Sequence, residues 1–172
     1  LKPEQVTIHT KYAGGSFGRR VSQDADYVLE AAHIVKAIGG KAPVKMVWLR
    51  EDDMRGGYYR PLFHHALEAA LDGEGKLVGW RHRLVGQSIL AGSPFEAAMV
   101  KDGIDMVSVE GAANLPYAIP NLRVDLHTPK DVGVPVLWWR SVGSSHTAFS
   151  TETFLDEVAA VMGRDPVALR LD

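Results

Sequence analysis

Leu62-Phe63-His64-His65-Ala66-Leu67-Glu68-Ala69-Ala70-Leu71-Asp72-Gly73-Glu74-Gly75-Lys76-Leu77-Val78-Gly79-Trp80 is the stretch that decides the architecture. Asp72-Gly73-Glu74-Gly75 is a turn composition, and it is flanked by two long segments, residues 62–71 and 76–90. Two such runs joined by a glycine-containing connection predict a long β-hairpin. Leu67-Glu68-Ala69-Ala70-Leu71 is also a good helix former, so on propensity alone these residues read equally well as helix.

On the N-terminal side, residues 6–10 alternate as a strand would and lead into Ala13-Gly14-Gly15-Ser16-Phe17-Gly18-Arg19-Arg20. A helix is predicted to follow over residues 22–38, with Ser22 as N-cap, Asp24 and Asp26 in its first turn and Gly39-Gly40 at its end. Ala25, Val28, Leu29, Ala32, Val35 and Ile38 share one face of that helix, as a core-facing helix requires. Residues 44–49 read as a short strand. On the C-terminal side a short helix is expected within 93–101, a strand over 122–126, and a closing helix over 147–162 capped by Gly163. The sum is α+β: a mixed or antiparallel sheet with helices packed on one side. No internal repeat or low-complexity stretch interrupts it.

Composition excludes several classes of function. The chain has 172 residues, a net charge of −2 and no cysteine. A chain of that length buries about two-thirds of its unfolded surface, enough for one domain with its own core. There is no general basic field for nucleic acid, and Arg19-Arg20 reads as a solvated loop edge. No apolar run reaches membrane-spanning length. Without cysteine there is no disulfide, no thiol nucleophile and no iron–sulfur cluster ligated by this segment.

Two separated segments carry the chemistry. Glycines at 14, 15 and 18 let peptide N–H groups approach a phosphate or a flat polar ring closely. The spacing Gly-Gly-x-x-Gly is not the Gly-x-Gly-x-x-Gly of dinucleotide folds, and a ligand-free turn explains it as well. The second segment, Leu137-Trp138-Trp139-Arg140-Ser141-Val142-Gly143-Ser144-Ser145-His146, also reads as a loop ending in a helix. Together the pair suggests one shared anionic cofactor. Trp138 and Trp139 read either as core or as the walls of a substrate funnel.

Other candidates yield to simpler readings. His64 and His65 would point to opposite faces of a strand, and His9, His33, His82, His127 and His146 show no ligand spacing, so no metal site is expected. Glu51-Asp52-Asp53 reads as the acidic first turn of a helix. Ser144, Ser145 and His146 lack a separately positioned third residue and a nucleophile elbow, which argues against a hydrolase.

With these residues in place, the chain resembles the molybdopterin-binding large subunit of the xanthine oxidase and aldehyde oxidase family. Four motifs in order carry the resemblance: the glycine loop, Pro116-Tyr117-Ala118-Ile119-Pro120-Asn121-Leu122-Arg123-Val124, Trp138-Trp139-Arg140-Ser141-Val142-Gly143, and Met162-Gly163-Arg164-Asp165-Pro166-Val167. The branch it is most similar to contains isoquinoline 1-oxidoreductase-like and membrane-associated aldehyde dehydrogenase-like proteins. Such enzymes hydroxylate carbon with water at a molybdenum held by a pyranopterin, for which the resemblance implies the cytosine dinucleotide form.

The resemblance implies that Gly14, Gly15, Ser16, Phe17, Gly18 and Arg140 contact the cofactor and that Trp139 and Val142 face the substrate. Ser16 stands where the family usually has a third glycine. Val21 replaces a glutamate of purine-oxidising relatives, so the implied substrate is an N-heteroaromatic or an aldehyde. The family's catalytic glutamate lies far downstream of this window, so no catalytic residue and no metal ligand is expected here, and the isolated segment is expected to be inactive. A small subunit with [2Fe–2S] clusters is the implied electron acceptor, with a cytochrome c possible after it, and the branch suggests a periplasmic or membrane-associated setting. Leu1 is not an initiator and the last helix is barely two turns, so residues 1–172 read as one domain internal to a longer polypeptide. A non-catalytic module with an empty glycine loop, or a binder of nucleotide phosphate, are the alternatives.

Overall fold

The hairpin reading holds in the computed structural model, which describes residues 2–172. β1 (Phe63–Leu71) and β2 (Leu77–Gly86) pair antiparallel, with Phe63 opposite Gly86 and Ala69 opposite Trp80. The Asp72 carboxylate accepts the N–H groups of Glu74 and Lys76, each at 2.9 Å, and so closes the turn. The alanine-rich segment is therefore strand. Its intrinsic helix preference amounts to only tenths of a kcal/mol per residue, which ladder hydrogen bonds and a buried face outweigh.

β3 (Asn121–His127), which covers the predicted strand at 122–126, lies parallel to β2 on its other side, so β2 is central in a mixed three-stranded sheet. Between β2 and β3 the chain makes a short helix, Glu96–Met99, narrower than the predicted 93–101, and a small two-stranded ribbon from Val100–Lys101 and Ile104–Asp105. A long helix, Ser144–Val161, begins three residues before the predicted 147 and ends at Gly163, whose φ of 64° is a left-handed cap. Asp165 then caps the final helix, Pro166–Leu171, by accepting Ala168 N–H at 2.9 Å.

The core lies where the long helix meets the sheet. Trp80, Leu155 and Val158 are buried together, with Leu67, Leu71, Tyr117 and Phe154 around them, and the Trp80 and Phe154 rings meet edge to face at 5.0 Å. A second cluster of Ile89, Leu90 and Val107 packs against Val136, Trp138 and Val142.

Four expectations fail, all in the N-terminal third. Residues 6–10 and 44–49 form no strand among the described residues, and Ile8 and Val47 are exposed. Alternation alone does not make a strand without an edge to pair with. The first helix starts at Asp26, four residues after Ser22, and runs as α1 (Asp26–Ala37). A 3-10 turn at Arg19–Val21 precedes it, and Arg19 reaches forward to bind both carboxylate oxygens of Asp26. That pairing folds the segment back and places Ala25 at φ 50°, so Ser22 does not serve as the cap. The predicted core-facing stripe of α1 is also uncovered, with Val28 and Leu29 about half exposed. Glu51, Asp52 and Asp53 do form the acidic first turn of a short helix, Arg50–Gly56, where the Asp52 carboxylate accepts Leu49 N–H at 2.9 Å.

Candidate functional site

The glycine loop and the arginine loop meet. A Cβ added to Gly18 would lie 2.0 Å from the Trp138 carbonyl oxygen, and Gly18 has φ 104°, so both contact and conformation demand glycine. One residue earlier, the Phe17 ring lies under the Arg140 guanidinium, with 5.9 Å from Cζ to the ring centroid, the outer range of a cation–π contact. Two segments more than a hundred residues apart thus form one surface.

Each loop stores strain. Phe17 has φ 52°, and in the arginine loop Ser141 and Val142 have φ 67° and 46°. Left-handed backbone costs about 1–2 kcal/mol per non-glycine residue and is least tolerable at a β-branched side chain, so the surroundings must hold Val142 in place. Ser16 is not at positive φ, and its hydroxyl accepts Arg20 N–H at 3.2 Å, so a serine fits there and helps close the loop.

The peptide N–H groups of residues 14–18 donate no hydrogen bond to any described residue. Gly14 faces open space, with nothing within 4 Å of an added Cβ. Unpaired amides in a row have to be satisfied by water or by a ligand rich in acceptors.

Behind the glycine loop, Arg19 is the hub of its neighbourhood. Besides Asp26 it lies near the rings of Tyr27, Trp48 and Tyr58, at 6.0, 5.7 and 5.2 Å. Tyr58 donates its hydroxyl to Asp24, and Trp48 donates its indole N–H to Glu30 at 2.8 Å. The ion pair raises the Arg19 pKa and lowers that of Asp26. Sequence reading assigned the Arg19-Arg20 pair to a solvated edge. That holds for Arg20 and fails for Arg19, whose aromatic partners are remote in sequence.

The tryptophan pair divides. Trp138 packs into the second core cluster and meets Phe95 edge to face, whereas Trp139 is 54% exposed. Trp139 and Val142 both line a cavity of about 20 Å3, together with Arg60, Phe63, Gln87 and His146. That is room for about one water.

Beside this cavity lies a group that sequence reasoning missed. His65 Nδ1 and His82 Nε2 are 2.8 Å apart, and the His65 ring centroid is 5.2 Å from that of His146. His146 is stacked on Phe63 at 3.9 Å. Burial lowers the pKa of all three, to about 4 for His82 and for His146. His64 points outward, as strand geometry requires. A register counted outward from the Asp72 turn would have found His65 and His82 as diagonal neighbours on one face, because Leu67 is opposite His82. Among the described residues no group of histidine or acidic side chains has the geometry to hold a metal ion.

The glycine loop and the arginine loop thus meet on an α+β scaffold. The molybdopterin cofactor-binding domain model matches residues 1–172, and the chain belongs to that family. It is 33% identical over 175 residues to the isoquinoline 1-oxidoreductase subunit beta of Brevundimonas diminuta, covering 99% of this chain and 21% of that protein. It is 31% identical over 183 residues to the membrane-bound aldehyde dehydrogenase [pyrroloquinoline-quinone] of Gluconacetobacter polyoxogenes, covering 99% of this chain and 22% of that one. The chain therefore spans about a fifth of the length of these relatives. Among solved structures, the aldehyde oxidoreductase from Desulfovibrio gigas matches with a TM-score of 0.66 at 22% identity, over 91% of this chain and 16% of that one. Quinoline 2-oxidoreductase from Pseudomonas putida 86 matches with the same TM-score at 19% identity, over 91% and 19%. At these identities the structural likeness speaks for the fold.

Proposed function

We propose that this chain forms one wall of the molybdopterin site of an oxidoreductase of the xanthine oxidase family, acting on an aldehyde or an N-heteroaromatic compound with water as the oxygen source. The observation that carries the reading is the junction of Gly18 with Trp138 and of Phe17 with Arg140. It places unpaired backbone donors and a guanidinium on one surface, a donor set that fits a pterin bearing a phosphate.

In this reading the amides of residues 14–18 bind the cofactor's acceptors, and Arg140 contributes positive charge and a planar fork of N–H donors. Phe17 keeps the guanidinium in place. Trp139 and Val142 stand at the edge of the substrate's approach. Val21 offers no carboxylate, which disfavours a purine. When bound, the molybdenum cofactor supplies the two-electron redox centre, and the chain's task is to hold and orient it. The cytosine dinucleotide form, a small iron–sulfur subunit and a cytochrome c acceptor complete the proposal. It is supported by relatives named as subunits, such as subunit beta in Brevundimonas diminuta and a complex subunit gamma in Paenarthrobacter nicotinovorans. No helix among the described residues is long and apolar enough to cross a membrane.

The test is the molybdenum content per polypeptide of the full-length protein purified from its source. A ratio near one supports the reading. A ratio near zero in folded protein overturns it and leaves an interaction module whose likeness to the family is ancestry.

A further inference from the structure

The strained turn of the arginine loop is fastened from outside by one acidic residue. Gly143 N–H donates to the Glu110 carboxylate, Oε2, at 2.9 Å. The Glu110 carbonyl accepts the Thr147 hydroxyl at 2.7 Å, one turn further along the same helix. A Cβ on Gly143 would lie 2.7 Å from Glu110 Cβ and 2.2 Å from the Val107 carbonyl oxygen, so the two backbones are in direct contact.

Gly143 is the N-cap of the long helix and directly follows Ser141 and Val142, the two left-handed residues. It offers no side chain to cap the helix with, and Glu110 brings a negative charge to the helix's positive end from a separate segment. Remove that carboxylate and the first turn loses its external acceptor. The strained pair is then free to relax, carrying Arg140 and Trp139 with it.

We propose that Glu110 is a positioning residue for the Trp139-Arg140-Ser141-Val142 loop, acting on the cofactor and substrate only through the Gly143 amide. The proposal rests on the cofactor-wall reading. Its role does not require proton transfer, so an uncharged acceptor of the same length partly serves. A shorter carboxylate does not, because it withdraws the oxygen from Gly143.

The test uses the full-length protein as Glu110→Ala, Glu110→Asp and Glu110→Gln. Amide hydrogen exchange of the peptide spanning residues 139–146 is followed beside that of the β1–β2 hairpin. In the alanine variant exchange of the loop peptide is expected to rise roughly tenfold or more, the scale set by losing a hydrogen bond to a charged acceptor, with the hairpin unchanged. The aspartate variant follows it, and the glutamine variant recovers most of the protection. The molybdenum electron paramagnetic resonance signal after partial reduction with dithionite is expected to shift in the alanine and aspartate variants and to return in the glutamine variant.

Unchanged loop exchange in Glu110→Ala overturns the clamp. Raised exchange with an unshifted resonance signal reduces Glu110 to a helix cap and overturns positioning. Wild-type protein that shows the clamp by exchange but contains no molybdenum overturns the cofactor-wall reading, and positioning with it. Should Glu110→Ala fail to fold, the contrast between the aspartate and glutamine variants decides.

Discussion

From Lys2 to Gly56 no residue is buried, whereas every residue of the buried hydrophobic core lies at or beyond Trp80. The two regions are organised by different forces. The C-terminal region is built from a sheet whose central strand packs Trp80 against Leu155 and Val158 of the long helix. The N-terminal region is held by polar and cation–π contacts centred on Arg19, and the apolar stripe of α1 faces outward. The candidate site sits on the seam, one loop from each. A loop on the well-packed side is positioned by the core, and a loop on the other is positioned by a few specific contacts. Damage to the two loops should therefore differ in kind.

The largest effect is expected from Gly18→Ala, because it breaks the seam itself. An added methyl collides with the Trp138 carbonyl in a backbone conformation alanine avoids. Molybdenum content of the full-length protein should fall roughly tenfold or more, as even about 1.4 kcal/mol of loop displacement implies. Retention of full content would show that the two loops do not hold one ligand.

Paired truncations address the two regions directly. Leu155→Ala removes a fully buried side chain and should cost about 2–5 kcal/mol by denaturant unfolding. Leu29→Ala, at 51% exposure, should cost less than about 0.5 kcal/mol if that face stays open. A cost above about 2 kcal/mol in the full-length protein would break the comparison, because it would mean that another part of the polypeptide covers α1.

Acid should weaken the C-terminal region first. His82 is fully buried, and its pKa is lowered from 6.5 to about 4 in the folded state. Its stabilising contribution is thus complete above about pH 6.5 and is lost as pH falls toward 4, because the unfolded chain then binds the proton more readily. The groups facing it are His65, with His146 behind, and Arg60 adds to the lowering at His146. The effect at His82 is on the order of 2–3 kcal/mol and is read as a fall in melting temperature between pH 7.5 and 5. His82→Leu should flatten that dependence. An unchanged slope would exclude the cluster as its source.

The smallest effect is expected at Arg19→Met, which removes the Asp26 pair and the aromatic contacts. The pair is partly solvated, with side-chain exposures of 28% and 22%, so about 1 kcal/mol is the scale. Its signature is local: faster proteolysis within residues 19–58 and little change elsewhere.

Sequence alone determined the elements whose signals are local. The Asp72–Lys76 turn, the Asp165 cap and the Gly163 stop each rest on residues within a few positions, and the hairpin turn, the end of the long helix and the last helix follow from them, whereas pairing with β2 decided that residues 67–71 are strand and not helix. The two segments were legible as loops too, the first from its clustered glycines and the second from an arginine between aromatic and small residues. What sequence could not determine was contact across distance. Only the tertiary structure decided that Gly18 lies on Trp138, that Glu110 reaches Gly143, that His65, His82 and His146 come together in one cluster, and that Arg19 folds back onto Asp26 and displaces the helix start predicted at Ser22. Short-range propensities are tenths of a kcal/mol per residue, while a backbone clash, a buried ring or an ion pair brings one to several at once. Where the two compete, the long-range contact prevails.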